Sequence, residues 1–115
     1  MRLLPSLGLA AFLFVAPAIA HHGWGAYDAS KTLRFDAPPT EVRYRNPHAE
    51  IDVEHDGKRW VAVLAPTARM ESRGLPAGAL KVGKAITIEG YPRKDGTAEL
   101  RAERIVVDGK TIELR

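Results

Sequence analysis

The strongest pattern in the chain is a β-hairpin near its centre. Residues 48–55 alternate between polar and largely apolar positions, which is the period of a strand with one buried face. Asp56-Gly57 follows, and tight primed turns prefer this dipeptide because glycine adopts positive φ without steric cost. The returning strand is predicted over 59–64. A row of carboxylates on one strand face is typical of a solvated surface. One face of the first strand carries Ala49, Ile51, Val53 and His55, and the other carries His48, Glu50, Asp52 and Glu54.

Shorter signals predict the remaining elements. Residues 40–44 alternate like a strand, and Pro38-Pro39 must break or offset a strand at this point. Pro66 and Gly74 bracket a predicted helix of about two turns, since proline suits the first helical turn and glycine caps the last. Three further strands are predicted over 85–91, 99–107 and 110–114, with turns at Asn46-Pro47, Asp95-Gly96 and Asp108-Gly109.

The order of these elements predicts an all-β fold class with one short helix. Three strands precede the helix and two or three follow it, so the arrangement resembles the OB-fold, a Greek-key barrel with its helix between the third and fourth strands. We therefore expect an OB-like barrel of five to six strands over residues 31–115. A small open β-sandwich or a meander is the alternative. The barrel is favoured because it leaves fewer exposed strand edges around so small a core.

The first 20 residues have the features of a secretory signal helix. Arg2 provides a basic start, an apolar run occupies residues 7–16, and Ala18-Ile19-Ala20 is a small-residue cleavage site. The apolar run is shorter than the roughly 20 residues that cross a bilayer as a helix. We therefore predict cleavage after Ala20, a periplasmic location and no membrane attachment after cleavage. A retained anchor or a buried N-terminal helix is the alternative.

Composition narrows the classes of function. The chain has no cysteine, so neither a disulfide nor a thiolate ligand is available, and this favours a bacterial periplasm over a eukaryotic secretory route. Its net charge is +3 and the two signs interleave, which is unlike a nucleic-acid-binding surface. It also lacks a Gly-rich phosphate loop, a G-x-S-x-G elbow and an H-E-x-x-H motif. We therefore predict no catalytic residue, no nucleic-acid partner and no enzymatic activity.

The four histidines are the residues with the clearest chemistry. Cleavage after Ala20 would make His21 the N-terminal residue, and its α-amine and imidazole would then form a chelating pair for a metal ion. A third nitrogen from His22 or His48 would complete the T-shaped or square-planar set that suits Cu(II). In this one respect the terminal histidine resembles the histidine brace of copper-binding exported proteins. The predicted metal ligands are therefore His21, His22 and His48, and the predicted ion is Cu(II).

Each histidine also has a structural interpretation. The pair His21-His22 can be a tolerated terminus without fixed structure, and His48 can be a turn residue that bonds the local backbone. His55 lies on the apolar face of its strand beside a turn, where a hydrogen-bonded structural role is favoured. These alternatives stay open at the level of the sequence, because histidine is both the commonest metal ligand and a routine polar residue.

Residues 21–30 show neither a strand nor a helix period, and we expect them to form a His-rich arm ahead of the barrel. Trp24 and Tyr27 are expected to pack this arm on the barrel, and a ligand platform is the alternative. A packed arm would give His21 a defined geometry. A loose arm would weaken the metal hypothesis.

A set of short motifs in the chain matches one known type of protein. These motifs are His21-His22-Gly23-Trp24, Tyr27-Asp28, Asn46-Pro47-His48, Gly57 and Trp60. With them the chain resembles an uncharacterised family of small exported proteobacterial proteins, a domain of unknown function. The resemblance implies a periplasmic address and a compact β domain, and it supplies no activity. It places His21, His22 and His48 in the shared motifs, whereas His55 is outside them. Such proteins usually have a glycine-containing strand where this chain has Pro38-Pro39.

The sequence therefore supports two classes of function. The first is a periplasmic protein that binds a metal ion, with copper as the expected metal. The second is a non-enzymatic OB-like module that presents a strand face or loops to a peptide, protein or glycan partner without metal. A partner surface of this kind would be an exposed apolar or aromatic patch of more than a few hundred Å². A copper redox enzyme is not favoured, because only the terminal histidine recommends it.

Overall fold

The structure is a computed structural model that describes residues 2–3 and 23–115 of the 115-residue chain. The rest of the predicted signal helix, together with the predicted ligands His21 and His22, lies outside the described residues. No helix in the described part is both long and apolar enough to cross a bilayer.

Strands dominate the described residues, which confirms the predicted all-β class. A 3₁₀ turn at Trp24–Ala26 comes first, and a single α-helix of the described part, α1 (Thr67–Ser72), interrupts the strands. The strands are β1 (Leu33–Ala37), β2 (Pro39–Arg43), β3 (Glu50–His55), β4 (Lys58–Val63), β5 (Ile86–Pro92), β6 (Glu99–Val107) and β7 (Lys110–Glu113).

The strands form one sheet, and the two strands at its edges follow each other directly in the chain. The order across the sheet is β1-β5-β6-β4-β3-β2, and β7 pairs with β6 beside this path. β4 and β6 run parallel, and the other pairs are antiparallel. Because β1 and β2 lie at opposite ends of the order but are consecutive in the chain, the sheet curls into a small barrel. If β1 and β2 count as halves of one bent strand, α1 lies between the third and fourth strands, as expected for an OB-like barrel.

The bend between β1 and β2 is built by Pro38-Pro39. Proline fixes φ and has no N–H to donate to a neighbouring strand, so a strand cannot continue regularly through two of them. β1 ends at Ala37, β2 begins at Pro39, and the pairing of β2 with β3 shifts register between Pro39 and Glu41. The prediction that the prolines offset a strand here is confirmed, and the offset allows one segment to pair with both β5 and β3.

The predicted hairpin is present as β3 and β4. Its turn residues Asp56 and Gly57 have φ of 49° and 71°, so both central positions are left-handed, as primed turns require. The turn between β6 and β7 repeats this geometry at Asp108 and Gly109, with φ of 50° and 74°. The two Asp-Gly dipeptides therefore determine where the chain reverses at both hairpins.

The core contains the alternate apolar positions of the strands and one residue of the helix, Met70. The predicted apolar face of β3 is confirmed, since Ala49, Ile51 and Val53 are buried. The largest buried side chains from the other elements include Leu64, Ile88, Leu100, Ile105 and Leu114.

Strands β5 and β6 lie too close together at Gly90 for a side chain to fit between them. Their register shifts between Glu89 and Gly90, and a Cβ built on Gly90 would lie 2.2 Å from the carbonyl oxygen of Arg101. A side chain therefore has no room at this position. Glycine here lets the backbone of β6 pass close to β5, and it fixes the position of Arg101 in the barrel wall.

The prediction of a solvated carboxylate row on β3 is wrong at Asp52, which is only 3% exposed. Its Oδ1 accepts a hydrogen bond of 2.6 Å from Arg43 Nη2, and its Oδ2 accepts one of 3.1 Å from Arg59 Nε. Glu41 contacts both arginines, at 3.3 Å and 3.2 Å. The hydrogen bond from Arg43 and the one from Arg59 lower the pKa of Asp52 to about 2, although burial opposes them. The arginines on the flanking strands β2 and β4 thus offset the cost of burying the Asp52 carboxylate.

Candidate functional site

The N-terminal arm is packed on the barrel from Gly23 onward. Tyr27 forms an isolated antiparallel bridge with Arg93, and the Lys94 amide donates to the Ala26 carbonyl at 3.0 Å. Tyr27 is 3% exposed, and its hydroxyl donates to Glu99 Oε2 at 2.9 Å. Burial and this hydrogen bond raise the pKa of Tyr27 to about 12. The expectation that Tyr27 packs the arm on the barrel is therefore confirmed for the described residues.

Trp24 lies in the same arm and contacts three side chains of the barrel. Its ring meets Tyr91 edge-on, with 6.2 Å between the ring centroids. The guanidinium carbons of Arg101 and Arg115 lie 4.8 Å and 4.5 Å from the centroid of the Trp24 ring. Both distances are within the range of a cation–π contact. Near its first described residue, the arm therefore carries an aromatic side chain that contacts two arginines.

His48 is positioned by the turn that links β2 to β3. The bond between Asn46 and Pro47 is cis, and Asn46 Oδ1 accepts hydrogen bonds from the amide and the hydroxyl of Thr67, at 3.3 Å and 2.9 Å. These bonds tie the turn to the first residue of α1. Asn46 therefore fixes the loop that presents the half-buried His48.

His48 contacts Arg101 of β6. The distance between Arg101 Nη2 and His48 Nε2 is 3.3 Å. Because a guanidinium group only donates, Nε2 of His48 accepts in this contact, and a neutral ring then carries its proton on Nδ1. Arg101 therefore touches both His48 and Trp24, and it brings the Asn-Pro-His motif next to the arm. This neighbour is 53 positions away in the sequence, rather than in the local turn.

Positive charge is concentrated at this site. Arg101 is 6% exposed, and burial lowers the pKa of its side chain. The nearby charges of Arg69 and Arg115 lower the pKa of Arg101 further, whereas Tyr27 and Glu99 act in the opposite direction. We call the residues Trp24, His48, Arg69, Arg101 and Arg115 the Trp24 site.

The three arginines of the Trp24 site were not predicted from the sequence. Arg69 lies in α1, Arg101 lies in β6, and Arg115 follows β7, so no local spacing connects them. The only signal in the sequence was that Arg101 stands between Leu100 and Ala102 in a strand. That position alone gives no information about a partner on another element.

The predicted metal ligands have different outcomes. His48 lies in the Trp24 site, whereas His21 and His22 lie outside the described residues. Among the residues described, no three side chains of His, Cys, Asp or Glu lie close enough together to hold a metal ion. His55 has a structural environment, because its ring stacks on Phe35 with centroids 3.8 Å apart and planes 9° apart. Its Nε2 also lies 3.4 Å from Asp56 Oδ2.

Comparison with known proteins gives a family and no activity. No curated protein matches the chain. A model of a family of unknown function, DUF6152, matches residues 10–101, which include every residue of the Trp24 site except Arg115. The expected membership of an uncharacterised family is thereby confirmed. The chain belongs to the family of unknown function DUF6152.

Proposed function

We propose that this chain is an exported, non-enzymatic protein that binds Cu(II) through His21, His22 and His48. The observation that carries the proposal is the position of the arm. Trp24 contacts Arg101, and Arg101 contacts His48, so the last residue of the His-His-Gly-Trp motif and the histidine of the Asn-Pro-His motif lie on either side of one guanidinium group. Motifs that are far apart in the sequence therefore meet at one place on the barrel.

Covalent connectivity limits how far His21 can lie from this place. Each residue of an extended chain spans at most about 3.6 Å, so three residues span roughly 10 Å. His21 is three positions before Trp24, whose ring is held by Arg101 and Arg115. The chain between His21 and Trp24 is therefore short enough to keep both histidines of the motif in the neighbourhood of the Trp24 site.

The proposed donors are nitrogen atoms that suit Cu(II). Removal of the leader after Ala20 in the periplasm would give His21 an α-amine, whose ordinary pKa lies near 8, and metal binding would displace its proton. The amine and the imidazole of His21 chelate the ion. His22 supplies the third nitrogen, or His48 does so once its ring gives up the hydrogen bond from Arg101. The copper complex therefore depends on export and processing, because an uncleaved chain has no amine at this residue.

The arginines of the Trp24 site oppose the approach of a cation. Like charges repel more strongly where solvent is partly excluded, and dissolved salt screens this repulsion. The affinity for Cu(II) is therefore expected to rise moderately between low and physiological ionic strength. A nitrogen-donor site in a neutral environment would show no such rise.

The decisive experiment moves the amine away from His21. The protein is exported from a bacterial host with its own leader, and mass spectrometry establishes that His21 is the new terminus. Cu(II) titration is then compared between this protein and a variant with three glycines inserted between Ala20 and His21, a number that leaves no histidine among the first three residues. We expect the insertion to weaken binding at least tenfold, since the amine no longer belongs to a histidine.

Two further variants complete the copper experiment. His48→Ala is expected to weaken binding and to change the electron paramagnetic resonance spectrum of the bound Cu(II). His55→Gln serves as the matched control and should leave both unchanged, because His55 packs on Phe35. Equal affinity in the glycine-insertion variant and the parent would overturn the terminal chelate, and a terminus other than His21 would do the same.

A further inference from the structure

Two arginines contact Trp24, and a third lies close to them. Arg101 and Arg115 both lie within 5 Å of the centroid of the Trp24 ring. Arg69 extends from α1 toward the same region, where its Nη1 donates to the Leu114 carbonyl at 3.2 Å. The fold therefore holds three positive charges close together at one end of the N-terminal arm.

Of two neighbouring carboxylates, one is engaged with other groups and the other makes a long contact with the site itself. Glu99 accepts a hydrogen bond from the Tyr27 hydroxyl at 2.9 Å and one from Arg93 at 3.3 Å. Glu103 lies 3.7 Å from Arg115 Nη1, which is a long contact for an ion pair. The repulsion among the three guanidinium groups is thus only partly compensated, and a bound anion would relieve it.

The guanidinium groups are also held in position before any ligand arrives. Arg101 is buried in the barrel wall and contacts both the Trp24 ring and His48. Arg115 stacks on Trp24 while 57% of its side chain is exposed. One arginine is therefore fixed, and the other is both oriented and accessible to a ligand.

We infer that Arg69, Arg101 and Arg115 form a binding site for an oxyanion, either a carboxylate or a phosphate group, with Trp24 as its aromatic wall. The planar guanidinium group presents paired N–H donors whose geometry matches two oxygens of such an anion. The site needs no metal ion. Its ligand is an anion, whereas the ligand proposed above is a copper ion. Failure of one proposal therefore leaves the other unaffected.

The test uses metal-free protein, so that copper binding cannot contribute. The exported protein is treated with EDTA, dialysed and titrated calorimetrically at physiological salt with two probes, succinate and inorganic phosphate. Fluorescence of Trp24 is followed in a Trp60→Phe background, since these are the two tryptophans of the chain. We expect saturable binding of at least one probe, with a change in the Trp24 emission. Binding of one probe alone would identify the anion class.

Arg115→Gln is the diagnostic variant, and its affinity should fall roughly tenfold, as expected for the loss of a charged hydrogen bond. Arg115→Lys keeps the charge without the planar donor pair and should recover only part of the affinity. Lys58→Gln removes one positive charge at the β3–β4 turn, at the opposite end of β3 from His48, and should bind like the parent. Absence of binding by both probes, or an equal loss in Arg115→Gln and Lys58→Gln, would overturn the proposal.

Discussion

Replacing Gly90 with alanine is expected to lower the free energy of unfolding by about 3 kcal/mol or more, at the upper end of the range for overpacking an interior. The added Cβ would lie 2.2 Å from the carbonyl oxygen and 2.8 Å from the carbonyl carbon of Arg101, and 2.9 Å from the Cα of Ala102. All three are backbone atoms, so no side chain can rotate away. Strands β5 and β6 would have to separate at this point.

Thermal and urea denaturation followed by circular dichroism would measure this effect. For a domain of this size, the expected loss corresponds to a fall in melting temperature of roughly 10–20 °C. Gly25→Ala is the matched control, because a Cβ at Gly25 meets nothing within 4 Å, and its stability should match the parent. A Gly90→Ala protein as stable as the Gly25→Ala protein would show that β5 and β6 do not approach as described.

Neutralising Asp52 is the change with the second largest expected effect. Asp52→Asn keeps the shape of the side chain but removes the charge between Arg43 and Arg59, and we expect a loss of about 2–3 kcal/mol. The loss of stability arises mainly at Arg43, because its side chain is 18% exposed and loses its ion pair with Asp52. Among the described residues, it would keep its contacts with Glu41 and Glu50. Glu54→Gln, at an exposed carboxylate on the same strand, is the control and should change stability by less than about 0.5 kcal/mol.

The same carboxylate predicts a pH dependence. The pKa of Asp52 is lowered from 3.8 to about 2, so its charged form is favoured in the folded protein. Its contribution is present above about pH 4 and is lost as the pH falls toward 2. This lowering of the pKa corresponds to a contribution of about 2–3 kcal/mol. Stability measured from pH 5 to pH 2 should therefore fall less steeply for Asp52→Asn than for the parent, and parallel curves would contradict this assignment.

Local patterns were sufficient to predict most of the strands. Glycine and aspartate at the two Asp-Gly turns carry their own backbone preference, and alternation over 48–55 assigns one face of β3 to the core. The short helix predicted between Pro66 and Gly74 is present as α1, with Pro66 at its N-cap. Such features depend on residues that are close together in the sequence, so local patterns are enough to predict them.

The sequence could not predict features that depend on contacts between elements. Asp52 is buried because Arg43 and Arg59 lie beside it on the flanking strands β2 and β4, and only the register of the sheet brings them together. In the same way, Arg101 meets His48 and Trp24 only after β6 has taken its place in the barrel. His48 could be selected from its motif, but the positive charge around it could not be foreseen.

The docking of the arm also determines the order in which this fold can be completed. The chain is synthesised from its N-terminal end. Tyr27, however, bonds Glu99, which comes 72 positions later, and β1 pairs with β5. Residues 23–37 therefore cannot take their final positions until β5 and β6 have been made, whereas the β3–β4 hairpin can form earlier. Contacts of such long range slow folding, because the intervening chain has to be ordered first. During this delay the start of the domain stays exposed to solvent, and docking of the arm ends that exposure.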